Sequence, residues 1–307
     1  MNPKRIVLLG ATGFIGRELV RIFPAAGFEL VAVSRNPDRV RSLLGERVIP
    51  AGWDGRTAEG WKQFVDGAAA VVNLVGENLS TGRWTKKKKT AILQSRRAAG
   101  RAVVEAVKAA GARPQVVLQA SAVGYYGRRG DEVLDETSAP GDGFLADVVR
   151  AWEESMRDIE SLGVRRIVIR SGVVLGRDGG ALRLMAMPFR FFVGGPLAGG
   201  RQWFSWIHLE DEVRAILFLL ENEKSRGVYN LVSPFPVRQR LLAKSIGHAL
   251  RRPSFFPMPS FLLRLLFGEK AGETILANQR VLPARLDEEG FTFAFPEVGS
   301  ALDDILA

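Results

Sequence analysis

The chain has no cysteine among its 307 residues. That excludes disulfides, thiolate nucleophiles and cysteine-ligated metals, and it suits a reducing cytoplasm. Histidine is nearly absent too: His208 and His248 are the only two and lie far apart, so no metal site is expected. No apolar run reaches the ~18 uninterrupted residues of a membrane span. The nearest, PSFLLRLLFG, is short and holds an arginine. The start, MNPKRIVLLGATG, has the basic pair and apolar run of a signal peptide, but the run enters a glycine motif instead of a cleavage site and reads as a strand. Internal repeats, polar linkers and low-complexity tracts are missing as well. The expectation is a cytoplasmic protein with a small-molecule substrate, no membrane partner and an open oligomeric state.

What is present is the material of a globular core. Hydrophobic residues make up 47% and charged residues 25%, with mean hydropathy +0.04. Net charge is +10, which raises the question of an anionic partner. The densest basic patch, Lys86 to Lys89 in RWTKKKKTAILQSRR, runs into apolar Ala91, Ile92 and Leu93 and reads as the solvated first turn of a helix. No RNA-binding motif or aromatic interleaving accompanies it, so no nucleic acid is expected.

The first half alternates apolar, β-rich runs with helical patterns. RIVLLG, ELVAVSR, AAAVVNLVG, QVVLQAS and VRRIVIRSGVVLG (164–176) read as strands, with helices over about 86–110 and 144–162. Strands separated by helices imply parallel pairing, and strands apolar throughout imply a sheet covered on both faces. The fold class is α/β, a doubly wound parallel Rossmann sheet with a smaller C-terminal substrate lobe. The division is expected at residues 1–176 and 177–307, with strand 228–234 returning to the main sheet.

GATGFIG places Gly10, Gly13 and Gly16 right after the first strand, opening a helix. Gly10 suits a tight turn, Gly13 a close approach of pyrophosphate to backbone, and Gly16 the packing of helix on strand. The alternative is a purely structural turn. The second strand ends in Ser34-Arg35-Asn36-Pro37, where an NAD enzyme presents a carboxylate to the ribose 2′-hydroxyl. A hydroxyl and a forked guanidinium suit a 2′-phosphate, so NADP(H) is the expected cofactor, unless Arg35 merely caps the surface.

GATGFIG, SRNP, NLVGEN, SAVGYYG, RSGVVLG, GGPLAGGRQWFSWIH and NQRVLP together resemble extended short-chain dehydrogenase/reductases. More narrowly they resemble an atypical epimerase-family group related to nucleotide-sugar epimerases, over nearly the whole chain. The resemblance implies NADP contacts at Thr12, Gly13, Phe14 and Ile15, at Ser34 and Arg35, and at Leu74, Val75 and Gly76. It adds Arg96, Val174, and Trp53 with Asp54 near the adenine.

Members of that superfamily use a serine with a Tyr-x-x-x-Lys pair: the phenol moves the proton and the lysine activates it. This chain has three tyrosines, and the residues four positions after them are Arg129, Gly130 and Ser233. The pair is absent. Its expected slots, on the helix written FLADVVRAWEES, hold Leu145 and Val149. Ser121, Tyr125 and Tyr126 are therefore the candidate catalytic residues, the alternative for the tyrosines being a pocket wall without proton transfer. Arg201, in a glycine-rich loop, and His208, at a late helix start, are candidate substrate contacts. The expected function is an NADP(H)-dependent oxidoreductase or epimerase-like enzyme on a small polar substrate. A non-catalytic NADPH-binding redox sensor is the alternative.

Overall fold

A computed structural model of the chain describes residues 4–45 and 48–306. Seven strands form one sheet: β1 (Arg5–Leu9), β2 (Glu29–Ser34), β3 (Val48–Gly52), β4 (Ala70–Asn73), β5 (Val116–Ala122), β6 (Arg165–Ser171) and β7 (Gly227–Leu231). They lie in the order β7-β6-β5-β4-β1-β2-β3, and every neighbouring pair is parallel. Strand pleating sends alternate side chains to opposite faces. In β1, Ile6 and Leu8 enter one apolar core while Val7 and Leu9 enter the other. Both faces are thus covered, which is why these runs are apolar throughout. Chain order reverses between β1 and β4. The crevice at their carboxyl ends is where such sheets bind ligands.

Helices α1 (Phe14–Ala25), α2 (Pro37–Leu44), α3 (Lys86–Ala109) and α4 (Phe144–Glu154) follow β1, β2, β4 and β5. The expected helix over 144–162 is interrupted after Glu154 and resumes as a short turn, Asp158–Ser161. The expected strand over 164–176 is likewise two strands. β6 ends at Ser171, and Val173–Leu175 pairs instead with Trp206–His208. Gly172 marks the switch, because a Cβ there would lie 2.8 Å from the Ser205 carbonyl oxygen. The lysine run does open α3, behind the Thr85 cap. Lys86 and Lys87 are exposed, but Lys88 and Lys89 pair with Glu77 and Glu269.

The second half contributes α5 (Leu182–Arg190), α6 (Leu209–Glu221), α7 (Gln239–Leu250), α8 (Ser260–Phe267) and α9 (Val298–Leu306). Phe189, Trp206, Leu242, Ile246 and Leu302 build a separate core there. Helix α6 and strand β7, however, pack Val213, Ile216, Leu219 and Tyr229 into the main core. Among the described residues no helix is long and apolar enough to cross a membrane.

Candidate active site

Each glycine of the first turn is held by a specific approach. Gly10 has φ 93°, a left-handed backbone that favours glycine, and a Cβ on it would lie 3.2 Å from the Leu74 carbonyl carbon. Gly13 donates its N–H to the Gly10 carbonyl at 2.9 Å, which closes the turn, and then caps α1 without any side-chain bond. A Cβ on Gly16 would fall 2.2 Å from the Gly10 oxygen, so only glycine lets α1 sit this close to β1. The first turn of α1 carries no acid. Its N-terminal amide dipoles are left to an anion. Gly16→Ala is expected to cost about 1–3 kcal/mol through overpacking, read by urea unfolding; a cost under ~0.5 kcal/mol contradicts that packing. The Phe14 ring points away from the turn, into a nest of Gly176, Gly179 and Gly180, where added Cβ atoms would meet it at 2.8, 2.6 and 2.9 Å. Val174 lines the same nest through its carbonyl oxygen. Thr12 and Ile15 are half-buried beside it.

At the end of β2 the Ser34 hydroxyl accepts the Asn36 N–H at 3.1 Å, and Arg35 is exposed. The room for Arg35 is made by Gly55, whose Cβ would stand 3.3 Å from the Arg35 Cδ. Asp54, beside Gly55, is spent locally. It accepts the Arg56 and Thr57 N–H groups at 2.7 and 2.8 Å, and those bonds, Thr57 first, hold its carboxyl below the usual range. Trp53 is buried, with its indole N–H on the Thr57 carbonyl at 2.8 Å.

Beyond β4, Leu74 bonds the Leu9 carbonyl at 2.9 Å, and the Val75 N–H is held by the Asn73 side chain at 3.1 Å. Gly76 leaves no room for a side chain, because a Cβ would meet the Arg96 guanidinium at 2.8 Å. Arg96 is buried, bonds the Glu77 and Ile92 carbonyls at 3.2 and 3.1 Å, and lies over the Trp152 ring. Its part is to shape the loop from beneath. Burial lowers its pKa to about 10, with Glu77 opposing.

The Ser121 hydroxyl, at the end of β5, donates to Glu153 at 2.6 Å. Glu153 stands on α4, one turn beyond Val149 and two beyond Leu145, on the helix face that carries the expected slots. The Arg170 side chain, reaching in from β6, grips it bidentately at 2.8 and 2.9 Å. The same guanidinium donates to the Tyr126 hydroxyl at 3.1 Å and stacks 3.3 Å from the centre of the Tyr125 ring. Tyr126 is wholly enclosed, its hydroxyl donates to Asn230 at 2.7 Å, and burial pushes its pKa up to about 12. That corrects the expectation for Tyr126: it is a buried brace and cannot reach a substrate. Tyr125 is half-buried, and no hydrogen bond from the described residues engages its hydroxyl.

A family model described as "NAD dependent epimerase/dehydratase family" matches residues 6–231. The chain belongs to the NAD dependent epimerase/dehydratase family. A second model, of a domain of unknown function, matches residues 258–305. The chloroplastic SDR39U1 homolog of Arabidopsis thaliana, an epimerase family protein, is 41% identical, covering 98% of this chain and 86% of that protein. Epimerase family protein SH2119 of Staphylococcus haemolyticus is 35% identical over 99% of each. The crystal structure of human epimerase family protein SDR39U1 (isoform2), solved with NADPH, superposes with TM-score 0.86 at 34% identity, over 98% of this chain and 99% of that one.

Within this epimerase-family fold the two candidate substrate contacts part company. Arg201 is exposed and lines a cavity of about 540 Å³ with Arg128, Arg240 and Arg264, to whose wall neither Ser121 nor Tyr125 contributes. His208 is buried. Its Nδ1 caps α6 by accepting the Glu210 N–H at 3.1 Å, its ring packs on Phe295 at 4.0 Å, and Nε2 faces Asp304 at 3.3 Å. Burial lowers its pKa, with Asp304 opposing. His208 is therefore a structural cap rather than a substrate contact. Glu153 was missed by sequence reasoning, which had Arg170 only as one of three cations, with Arg129 and His208, able to assist the tyrosines. The available signal was an arginine inside a strand with both faces buried, which demands a carboxylate partner.

Proposed function

We propose that the protein is an NADPH-dependent reductase of a small polar carbonyl compound. The observation that carries this reading is the first turn joined to the end of β2: an anion-receptive helix N-terminus without an acid, and beside it Ser34 and an exposed Arg35, with Asp54 bonded to its own loop. The NADPH in the human relative supports it. Gly13 and the α1 N-terminus would hold the pyrophosphate, and Arg35 the 2′-phosphate. When bound, the nicotinamide supplies hydride. Reduction of a carbonyl also needs one proton, and Tyr125, in the turn just after β5, offers a hydroxyl that has no partner among the described residues. Arg170 fixes its ring from the face. The hydroxyl of Ser121 is committed to Glu153 and acts by holding that network in place. A cytoplasmic setting fits a chain without cysteine.

Titration at fixed ionic strength tests the cofactor half. NADPH is expected to bind at least roughly tenfold more tightly than NADH, and Arg35→Ala to remove most of that preference, since a charge-assisted bond is worth about 1.5–3 kcal/mol. Equal affinities in the parent protein defeat the proposal. The catalytic half is tested with a carbonyl panel. Tyr125→Phe is expected to lower kcat by roughly a hundredfold or more with NADPH affinity unchanged. Unchanged turnover removes Tyr125 from the reaction.

A further inference from the structure

Where α5 ends, the chain turns apolar side chains outward. Phe191 is 72% exposed, and Phe192 and Val193 are more than half exposed. Phe192 does this from a left-handed backbone, φ 63°, which is costly for a bulky residue. The loop is pinned from within by Phe189, whose ring leaves no room for a Cβ on Gly194. A second segment joins it. Phe256 donates its N–H to the Gly194 carbonyl at 3.1 Å, and the Phe255 and Phe256 rings stack at 4.6 Å. Helix α8 follows, with Leu263 its one buried residue and Phe261 and Leu265 each 70% exposed. Single exposed apolar residues are ordinary, but a joined set marks an interaction surface.

The charge around this face is predominantly positive. Residues 182–195 and 251–267 contain no aspartate or glutamate and five arginines, at 183, 190, 251, 252 and 264. The Arg252 guanidinium lies 4.6 Å over the Phe192 ring and links the patch to a cavity of about 700 Å³. Lys244, His248, Arg251 and Arg252 line that cavity, and Asp303 is the one carboxylate in its wall. Arg264 of α8 opens on the other cationic cavity, beside Arg201 and Arg240.

We propose that this face rests on an anionic lipid bilayer. The phenylalanines and leucines enter the boundary between headgroups and acyl chains, and the arginines on either side meet lipid phosphates. A symmetric contact between two copies would bring both sets of arginines together with only Asp303 and Asp131 in the adjoining cavity walls to offset them. This departs from the sequence-based expectation of no membrane partner, with a surface that lies on a bilayer without crossing it. The proposal does not depend on the cofactor reading.

The test is sedimentation of the full chain with phosphatidylcholine vesicles, with and without about one-third phosphatidylglycerol. Binding is expected only with the anionic lipid and is lost when salt is raised. The variants Phe191→Ser/Phe255→Ser and Arg251→Glu/Arg252→Glu are each expected to lower the partition coefficient by roughly tenfold or more, with circular dichroism and melting unchanged. Equal binding to neutral and anionic vesicles overturns the proposal, as does full binding by both variants. So does a concentration-dependent dimer that both variants dissolve while vesicles bind nothing, which would assign the face to a second copy.

Discussion

Glu153→Ala is expected to lower the unfolding free energy by about 3–5 kcal/mol, the usual cost of leaving one member of a buried ion pair uncompensated. The Arg170 side chain is only 4% exposed and that of Glu153 13%, so water cannot replace the lost carboxylate easily. Three of the bonds in the network end on Glu153, two from Arg170 and one from Ser121. After the substitution, Arg170 keeps the Tyr126 hydroxyl and the Tyr125 ring face, neither of which neutralises it. Replacing the pair together, with Glu153→Leu and Arg170→Met, is expected to recover most of the loss, because two apolar side chains leave no buried charge. Urea unfolding of the two single variants and the double closes the cycle. A single-variant cost under ~0.5 kcal/mol would mean that water already reaches the pair. The double variant also separates stability from chemistry: it folds without the cation under Tyr125, so a fall in kcat there reports the loss of Arg170 as a positioning residue.

The sheet and its first turn were legible because their causes are local. Gly10, Gly13 and Gly16 sit within seven residues, and Gly10 and Gly16 report backbone requirements that other residues meet poorly or not at all. The strands declare themselves by being apolar on both faces. The Ser121 network was not legible, because its members come from β5, α4 and β6 and meet only through tertiary packing. Val149 was identified as a slot without its lysine, yet the carboxylate one turn further on lies beyond that slot. His208 shows the local case. HLEDEV has the signature of a capped helix start, with acids in its first turn, and the cap itself takes up one imidazole nitrogen, Nδ1. The two breaks, after Glu154 and at Gly172, were hidden because hydrophobic periodicity continues through them. Gly172 is set by the approach of Ser205, a neighbour from far along the chain.

Stability is expected to fall as pH rises from about 4.5 toward 8, and Glu212 to be the group responsible. Glu212 lies on α6 with no exposed surface, and one oxygen accepts the Ser171 hydroxyl at 2.6 Å while the other has no partner among the described residues. Burial pushes its pKa up to about 8, and the Ser171 bond draws it back only in part. A carboxyl raised above its unfolded value of 4.5 binds more protons folded than unfolded between those two limits. Linkage then makes its contribution complete below about pH 4.5 and progressively lost up to about 8, at roughly 1.4 kcal/mol per pH unit, or on the order of several kcal/mol in all. His208 has the opposite sign: burial lowers its pKa, so its contribution is lost as pH falls. Comparison of the parent with Glu212→Gln therefore isolates the carboxyl, since His208 is common to both. The amide keeps the shape and cannot ionise. Urea unfolding at pH 5, 6, 7 and 8 should show the two proteins diverging steadily, with the variant gaining on the parent as pH rises. Parallel curves across that range would show that Glu212 holds the same charge folded and unfolded, and that water reaches the oxygen left without a partner.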